Sequence, residues 1–261
     1  MTANSPTILA LDFDGVVCDG LIEYFEVAWR TYCQIWSLAK DTPPDDLALR
    51  FYRLRPVIET GWEMPVLIKA LIEGFDDDQI LQSWTTITPQ ILAVDNLEAK
   101  AVSTKLDNLR DEWIQTDLNG WLSLHRFYPG VIERLKIILK SEVKLYIVTT
   151  KEGRFVKQLL QQEGVNLPPE NIFGKEIKRP KYETLRELIQ KANTQPVSLW
   201  FVEDRLKTLE LVQQQSDLNH VQLFLADWGY NTQSEREAGK NDPRIHLISL
   251  SHFGHDFPTW L

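Results

Sequence analysis

Two aspartates, Asp12 and Asp14, close a short apolar run, Thr7–Phe13, near the start of the chain. Two residues apart on extended backbone, their side chains point the same way. Carboxylates that close repel each other unless a cation lies between them. Later apolar runs also end in polar residues: Val143–Thr149 leads into Thr150-Lys151, and Val197–Val202 leads into Glu203-Asp204. Between them, Lys178-Arg179-Pro180-Lys181 opens a helical pattern. Acids, hydroxyls and lysines of these kinds suit phosphoryl transfer, with the carboxylates providing hard oxygen ligands for a divalent cation.

Positioning these residues requires strands that end together. The runs at Thr7–Phe13, Val143–Thr149, Val197–Val202 and Val221–Ala226 read as strands, with one more short strand at Arg244–Ile248. Helical patterns over Val131–Lys140, Arg154–Glu163, Lys181–Ala192 and Leu206–Gln214 separate them. Strand–helix alternation predicts a parallel sheet with helices on both faces, whose ligands bind beyond the C-terminal strand ends. Between Leu21 and Gly120 there is no strand alternation. That block reads as all-helical, with patterns at Leu21–Leu38, Asp46–Leu54, Pro65–Glu73, Asp77–Trp84, Pro89–Val94 and Glu98–Asp117, and a loop at Asp41–Asp46. Its tryptophans, Trp29, Trp36, Trp62, Trp84, Trp113 and Trp121, read as core. The expected organisation is a Rossmann-like α/β core of residues 1–18 and 127–261, interrupted by a helical domain of residues 19–126.

The polar sets resemble, in order and spacing, the four motifs of the haloacid dehalogenase superfamily of phosphohydrolases. Asp12-Phe13-Asp14-Gly15-Val16 resembles the first, Val148-Thr149-Thr150-Lys151 the second, Lys181 the third and Val202-Glu203-Asp204 the fourth. Phe127-Tyr128-Pro129-Gly130 is similar to the family's return from cap to core. Asp227-Trp228-Gly229-Tyr230 is similar to a segment of its phosphoglycolate phosphatase-like members.

The resemblance implies a helical cap and a magnesium-dependent phosphatase acting on a small phosphorylated metabolite. It assigns Asp12 as nucleophile, forming an aspartyl-phosphate, and Asp14 as acid and base. Magnesium would be held by the Asp12 and Asp204 carboxylates and the Asp14 backbone carbonyl, with Glu203 acting directly or through water. Thr149 and the Thr150 N–H would hold phosphoryl oxygens beside Gly15, and a lysine would offset developing charge. Lys181 is favoured for that lysine, with Lys178 the alternative because Arg179 separates it from Pro180. A phosphomutase of the beta-phosphoglucomutase type, or a degenerate binding protein, is the other outcome. Asp14 disfavours a dehalogenase. A phosphonatase would need a lysine from the cap, where Lys40, Lys69, Lys100 and Lys105 stand. Thr208 is neutral where many members carry an acid, which shifts the burden of metal binding toward Glu203.

Composition excludes several other classes. A net charge of −9 over 261 residues disfavours nucleic acid and anionic membranes as partners. Two cysteines, Cys18 and Cys33, make no disulfide framework, and the N-terminus carries no signal-peptide pattern. A cytoplasmic monomer or homodimer is expected. Asp76-Asp77-Asp78 reads as a helix start, Cys18 as a small buried side chain, and Gly254 and Pro258 argue against a helix around His252 and His255.

Overall fold

In the computed structural model, which describes residues 5–36, 42–192 and 196–261, the chain divides into two units. One comprises Met1–Asp19 and Arg126–Leu261, the other Gly20–His125. The expected positions Leu38, Lys40 and Asp41 lie outside the described residues.

The first unit begins with β1 (Ile8–Leu11), four buried apolar residues, and β2 (Cys18–Asp19). The second unit contains α1 (Leu21–Ile35), α2 (Leu47–Leu54), α3 (Glu63–Ile72), α4 (Asp77–Val94), α5 (Ala99–Thr116) and α6 (Leu118–Leu122). The first unit resumes with β3 (Arg126–Phe127), which pairs antiparallel with β2. Then follow α7 (Val131–Ile138), β4 (Lys144–Val148), α8 (Gly153–Gln162), β5 (Ile172–Phe173), α9 (Lys181–Gln190), β6 (Leu199–Glu203) and α10 (Leu206–Gln213). The chain ends with β7 (Gln222–Ala226), α11 (Gln233–Asn241), β8 (Ile245–Ile248) and α12 (Leu250–Gly254).

Six of these strands form one sheet in the order β5-β4-β1-β6-β7-β8, every neighbouring pair parallel. Alternation along the strands sends apolar side chains to both faces. Ile8, Ala10 and Phe201 share a core with Leu185 and Leu188 of α9 and Leu209 and Val212 of α10. Trp200 instead packs edge-to-face with Phe257 and at a tilt against Trp260, ring centroids 5.6 and 5.8 Å away. The sheet is thus buried on both sides, which is why its strands read as continuous apolar runs.

The helical unit has its own core, in which Phe25, Trp29, Phe51, Leu67 and Trp84 are buried. Trp36 and Trp62 are only partly buried against it. The expected helix end at Trp84 falls beside a kink at Ser83 (φ −133°), where two helical segments join within α4; the second segment runs on through Pro89 without the expected gap before it. Asp76 begins α4 by accepting the Asp78 and Gln79 N–H groups.

Six elements escape the sequence patterns: β2, β3 and α6, and also β5, α11 and α12. β5 is only two residues long. α11 is too polar to show an apolar stripe, although Thr232 and Glu235 form a capping box at its start. α12 forms where Gly254 argues against a helix, because Ser249 caps its first turn and Gly254 falls at its end. Cys18 is buried and no disulfide forms. No helix among the described residues is long and apolar enough to cross a membrane.

Candidate functional site

The residues following β1, β4 and β6 meet at the C-terminal edge of the sheet. The Asp12 N–H donates to Val202 O (2.9 Å), continuing the ladder one step past β1. Beyond it the chain turns sharply: Phe13 O accepts the Val17 and Cys18 N–H groups, and Gly15 N–H donates to Cys18 O at 2.8 Å. Gly15 adopts φ +88°, and a Cβ there would lie 2.2 Å from Asp204 Oδ2. Glycine therefore serves both the turn and the close approach of Asp204.

Asp12, Glu203 and Asp204 are all buried, with ligand atoms within 4.8 Å of one another. Among the described residues they form the acidic cluster that could hold a metal ion. Among the described residues one ammonium contacts it: Lys181 Nζ lies 2.9 Å from Asp12 Oδ1 and 2.7 Å from Glu203 Oε2. Burial raises the proton affinity of all three acids. Asp12 is pushed up to about 7 by burial and by Glu203, against the pull of Lys181. Asp204 is pushed up to about 6 by burial and by Asp12, although it accepts the Tyr230 N–H. Glu203 moves in the same direction, chiefly through burial. Three buried carboxylates against one ammonium leave an uncompensated negative charge, the condition a divalent cation relieves.

Lys181, at the first position of α9, reaches the acids, whereas Lys178 is exposed and adopts a left-handed backbone (φ 53°). Both line a cavity of about 350 Å³ together with Thr149 and Thr150. Thr149 is buried and its hydroxyl oxygen accepts the Lys151 N–H at 3.2 Å. Asp14 stands apart from the acid trio: its carboxylate takes Lys151 Nζ at 3.2 and 3.4 Å. Thr208 lies in the first turn of α10, its N–H donating to Arg205 O. In the helical unit, Lys69 is engaged by Glu73 (2.9 Å) and Asp95 (3.6 Å).

Reasoning from the sequence missed the residues that place the acids. Lys151 is one; its position directly after the two threonines was the available signal. The others lie in the Asp227–Asn231 segment. Tyr230 N–H donates to Asp204 Oδ2 at 2.7 Å, and Asn231 Nδ2 ties Asp204 O to Ala226 O. A Cβ on Gly229 would lie 2.2 Å from Asp204 Cβ, so this segment packs directly on the aspartate.

The chain belongs to the haloacid dehalogenase-like hydrolase family, whose model matches residues 75–214, more than half of its length. Solved structures share the fold at low identity. A haloacid dehalogenase-like family hydrolase from Streptococcus pneumoniae is 15% identical, with 94% of each chain covered and a TM-score of 0.52. A predicted phosphoglycolate phosphatase from Haemophilus somnus is 14% identical, covering 87% of this chain and 88% of its own, with a TM-score of 0.54. The Mycobacterium tuberculosis Protein Tyrosine Kinase A is 13% identical over 95% of this chain and 96% of its own, with a TM-score of 0.56. No curated protein sequence matches the chain.

Proposed function

We propose that this hydrolase is a magnesium-dependent phosphatase of a small phosphorylated metabolite, with Asp12 as nucleophile. The observation that carries the reading is the way Asp12 is held. Both the Phe13 N–H (2.7 Å) and Lys181 Nζ (2.9 Å) fall on its Oδ1. Oδ2 has no protein donor among the described residues, and it is the oxygen left to attack.

In the first step Asp12 Oδ2 bonds to phosphorus while the ester P–O bond breaks, and Asp14 gives its proton to the leaving oxygen. In the second, Asp14 takes a proton from water as that water attacks the aspartyl-phosphate, releasing inorganic phosphate and restoring Asp12. The Thr149 hydroxyl, its oxygen already accepting from Lys151, is left to donate to a phosphoryl oxygen, with the Thr150 N–H beside it. Lys181 offsets the charge that builds between nucleophile and phosphate, while Lys178 stands at the outer wall of the same cavity. The Asp12 and Asp204 carboxylates, the Asp14 carbonyl and Glu203 would hold the magnesium. When bound, the ion supplies charge neutralisation that lets an anionic carboxylate approach an anionic ester. The Gly20–His125 unit is assigned the role of cap and the choice of substrate.

A panel of phosphorylated metabolites assayed with and without magnesium tests this reading. Phosphate release that depends on magnesium and disappears in Asp12→Asn is expected. Wild-type turnover in Asp12→Asn would overturn the assignment of the nucleophile.

A further inference from the structure

Arg134, on α7, carries a charge that the fold leaves nearly unanswered. Its side chain is 4% exposed, and its Nε and Nη2 are buried with no hydrogen-bond partner among the described residues. Its one ion-pair contact among the described residues is Nη1 to Asp256 Oδ1 at 3.5 Å, the limit of hydrogen-bond length, and the Asp256 side chain is 91% exposed. Phe257 lies against the guanidinium, its ring centroid 4.6 Å from Cζ. Burial lowers the pKa of the guanidinium, opposed only by Asp256.

The unpaired nitrogens are the two on one edge, the fork that grips a carboxylate through parallel N–H bonds. At two other arginines the same edge is filled by one carboxylate. Arg110 Nε and Nη2 reach Glu23 Oε1 and Oε2 at 2.7 and 3.3 Å. Arg186 Nε and Nη2 reach Asp217 Oδ2 and Oδ1 at 2.5 and 3.0 Å. At Arg134 the fork has no such partner, and the residue lines a cavity of about 350 Å³ that shares no residue with the acid cluster. The remaining walls are largely apolar: Ile137, Ile138, Val143 and Phe257. Ile137 is 57% exposed, an unusual state for a large aliphatic residue beside a buried charge.

A buried, unpaired guanidinium is costly, and partners that satisfy it are strongly favoured. We propose that this cavity binds a small organic oxyanion. Its charged group would pair with the Nε–Nη2 edge of Arg134, reached as the exposed Ile137 and Asp256 side chains shift aside, and its apolar body would rest on Ile137, Ile138 and Val143. Asp256 competes weakly for the same guanidinium from its solvent side, and Phe257 covers one face of it. The site is separate from the proposed reaction, so the binding does not depend on phosphatase activity.

Benzoate serves as the probe with an apolar body, inorganic phosphate as the bare oxyanion and chloride as the ionic-strength control. Each is titrated into the full chain by calorimetry and thermal melting. Benzoate is expected to bind and to raise the melting temperature. Arg134→Met should abolish that response and melt higher than wild type in buffer without benzoate or phosphate, because an unpaired buried charge has gone. Asp256→Asn, at an exposed position, should bind benzoate several-fold tighter. Benzoate binding retained in Arg134→Met, or unchanged in Asp256→Asn, would overturn the site. An Arg134-dependent response to phosphate as strong as that to benzoate would overturn its apolar half.

Discussion

Lys151 Nζ donates to both oxygens of Asp14, at 3.2 and 3.4 Å. The lysine follows β4 and the aspartate follows β1, neighbouring strands of the sheet. This contact fixes which way the proposed acid and base faces, while the proposed nucleophile, Asp12, is held separately by Lys181. Lys151 is therefore a positioning residue. Lys151→Met is expected to lower kcat by about 10- to 100-fold, within the range general acid–base catalysis contributes, with a smaller change in KM. Lys151→Arg should recover part of the loss. Steady-state kinetics and the pH profile of each variant test it. An unchanged kcat in Lys151→Met would remove the lysine from the mechanism.

Protons and the proposed magnesium ion would compete for the acid trio. Asp12 and Asp204 have proton affinities raised to about 7 and about 6 in the folded protein. The folded state therefore holds protons that the unfolded chain has already lost, so without metal this site loses stability as pH rises from about 4 to about 7. Metal binding needs the ionised acids and gains over the same window. The rise in melting temperature caused by magnesium should thus be small near pH 5 and grow through about pH 7. In Asp12→Asn the pH dependence should shrink. Melting curves across this range with and without magnesium measure both effects, and a magnesium response flat in pH would contradict them.

The contact of Gly229 with Asp204 predicts a second loss. Alanine at Gly229 would bring its Cβ to 2.2 Å from Asp204 Cβ and 2.5 Å from Gly15 O, so Asp204 must move. Overpacking of this kind costs about 1–3 kcal/mol. Displacing a ligand through its supporting residue weakens metal affinity by roughly 10- to 100-fold. Gly254→Ala, with nothing within 4 Å of the new Cβ, is the control and should match wild type. Calorimetric titration with magnesium distinguishes the two variants. Equal affinity in Gly229→Ala and wild type would show that Asp204 does not hold the ion.

The sheet was legible because both of its faces are covered. Leu199–Glu203 is buried at every position, so β6 reads as an unbroken apolar run ending in acids. The order of the motifs then pointed to Asp12, Thr149, Lys181, Glu203 and Asp204 before any geometry. What stayed hidden depends on contacts remote in sequence. The Lys151–Asp14 bond spans 137 residues and the Tyr230–Asp204 bond 26, and neither leaves a periodic pattern. α11 was invisible for a different reason: only Gly239 in it is buried, so its signal lies in its cap rather than in an apolar stripe. Lys178 and Lys181 were separable only once α9 placed one toward the acids and the turn before it left the other exposed.

The helical unit carries its own buried charge, and this yields a prediction independent of the active site. Glu23, in the first turn of α1, is 1% exposed; it pairs with Arg110 of α5 and accepts the Trp121 Nε1–H at 3.0 Å. The ion pair and the indole together satisfy a carboxylate that would otherwise be buried at high cost. Removing it in Glu23→Ala leaves the Arg110 charge without its main partner, and stability should fall by about 3–5 kcal/mol. The double replacement Glu23→Leu with Arg110→Met removes both charges and should cost far less, because an apolar pair of similar volume needs no compensation. Urea unfolding of the two variants measures the difference. Equal destabilisation would mean that packing volume, rather than the unpaired charge, sets the cost at this position.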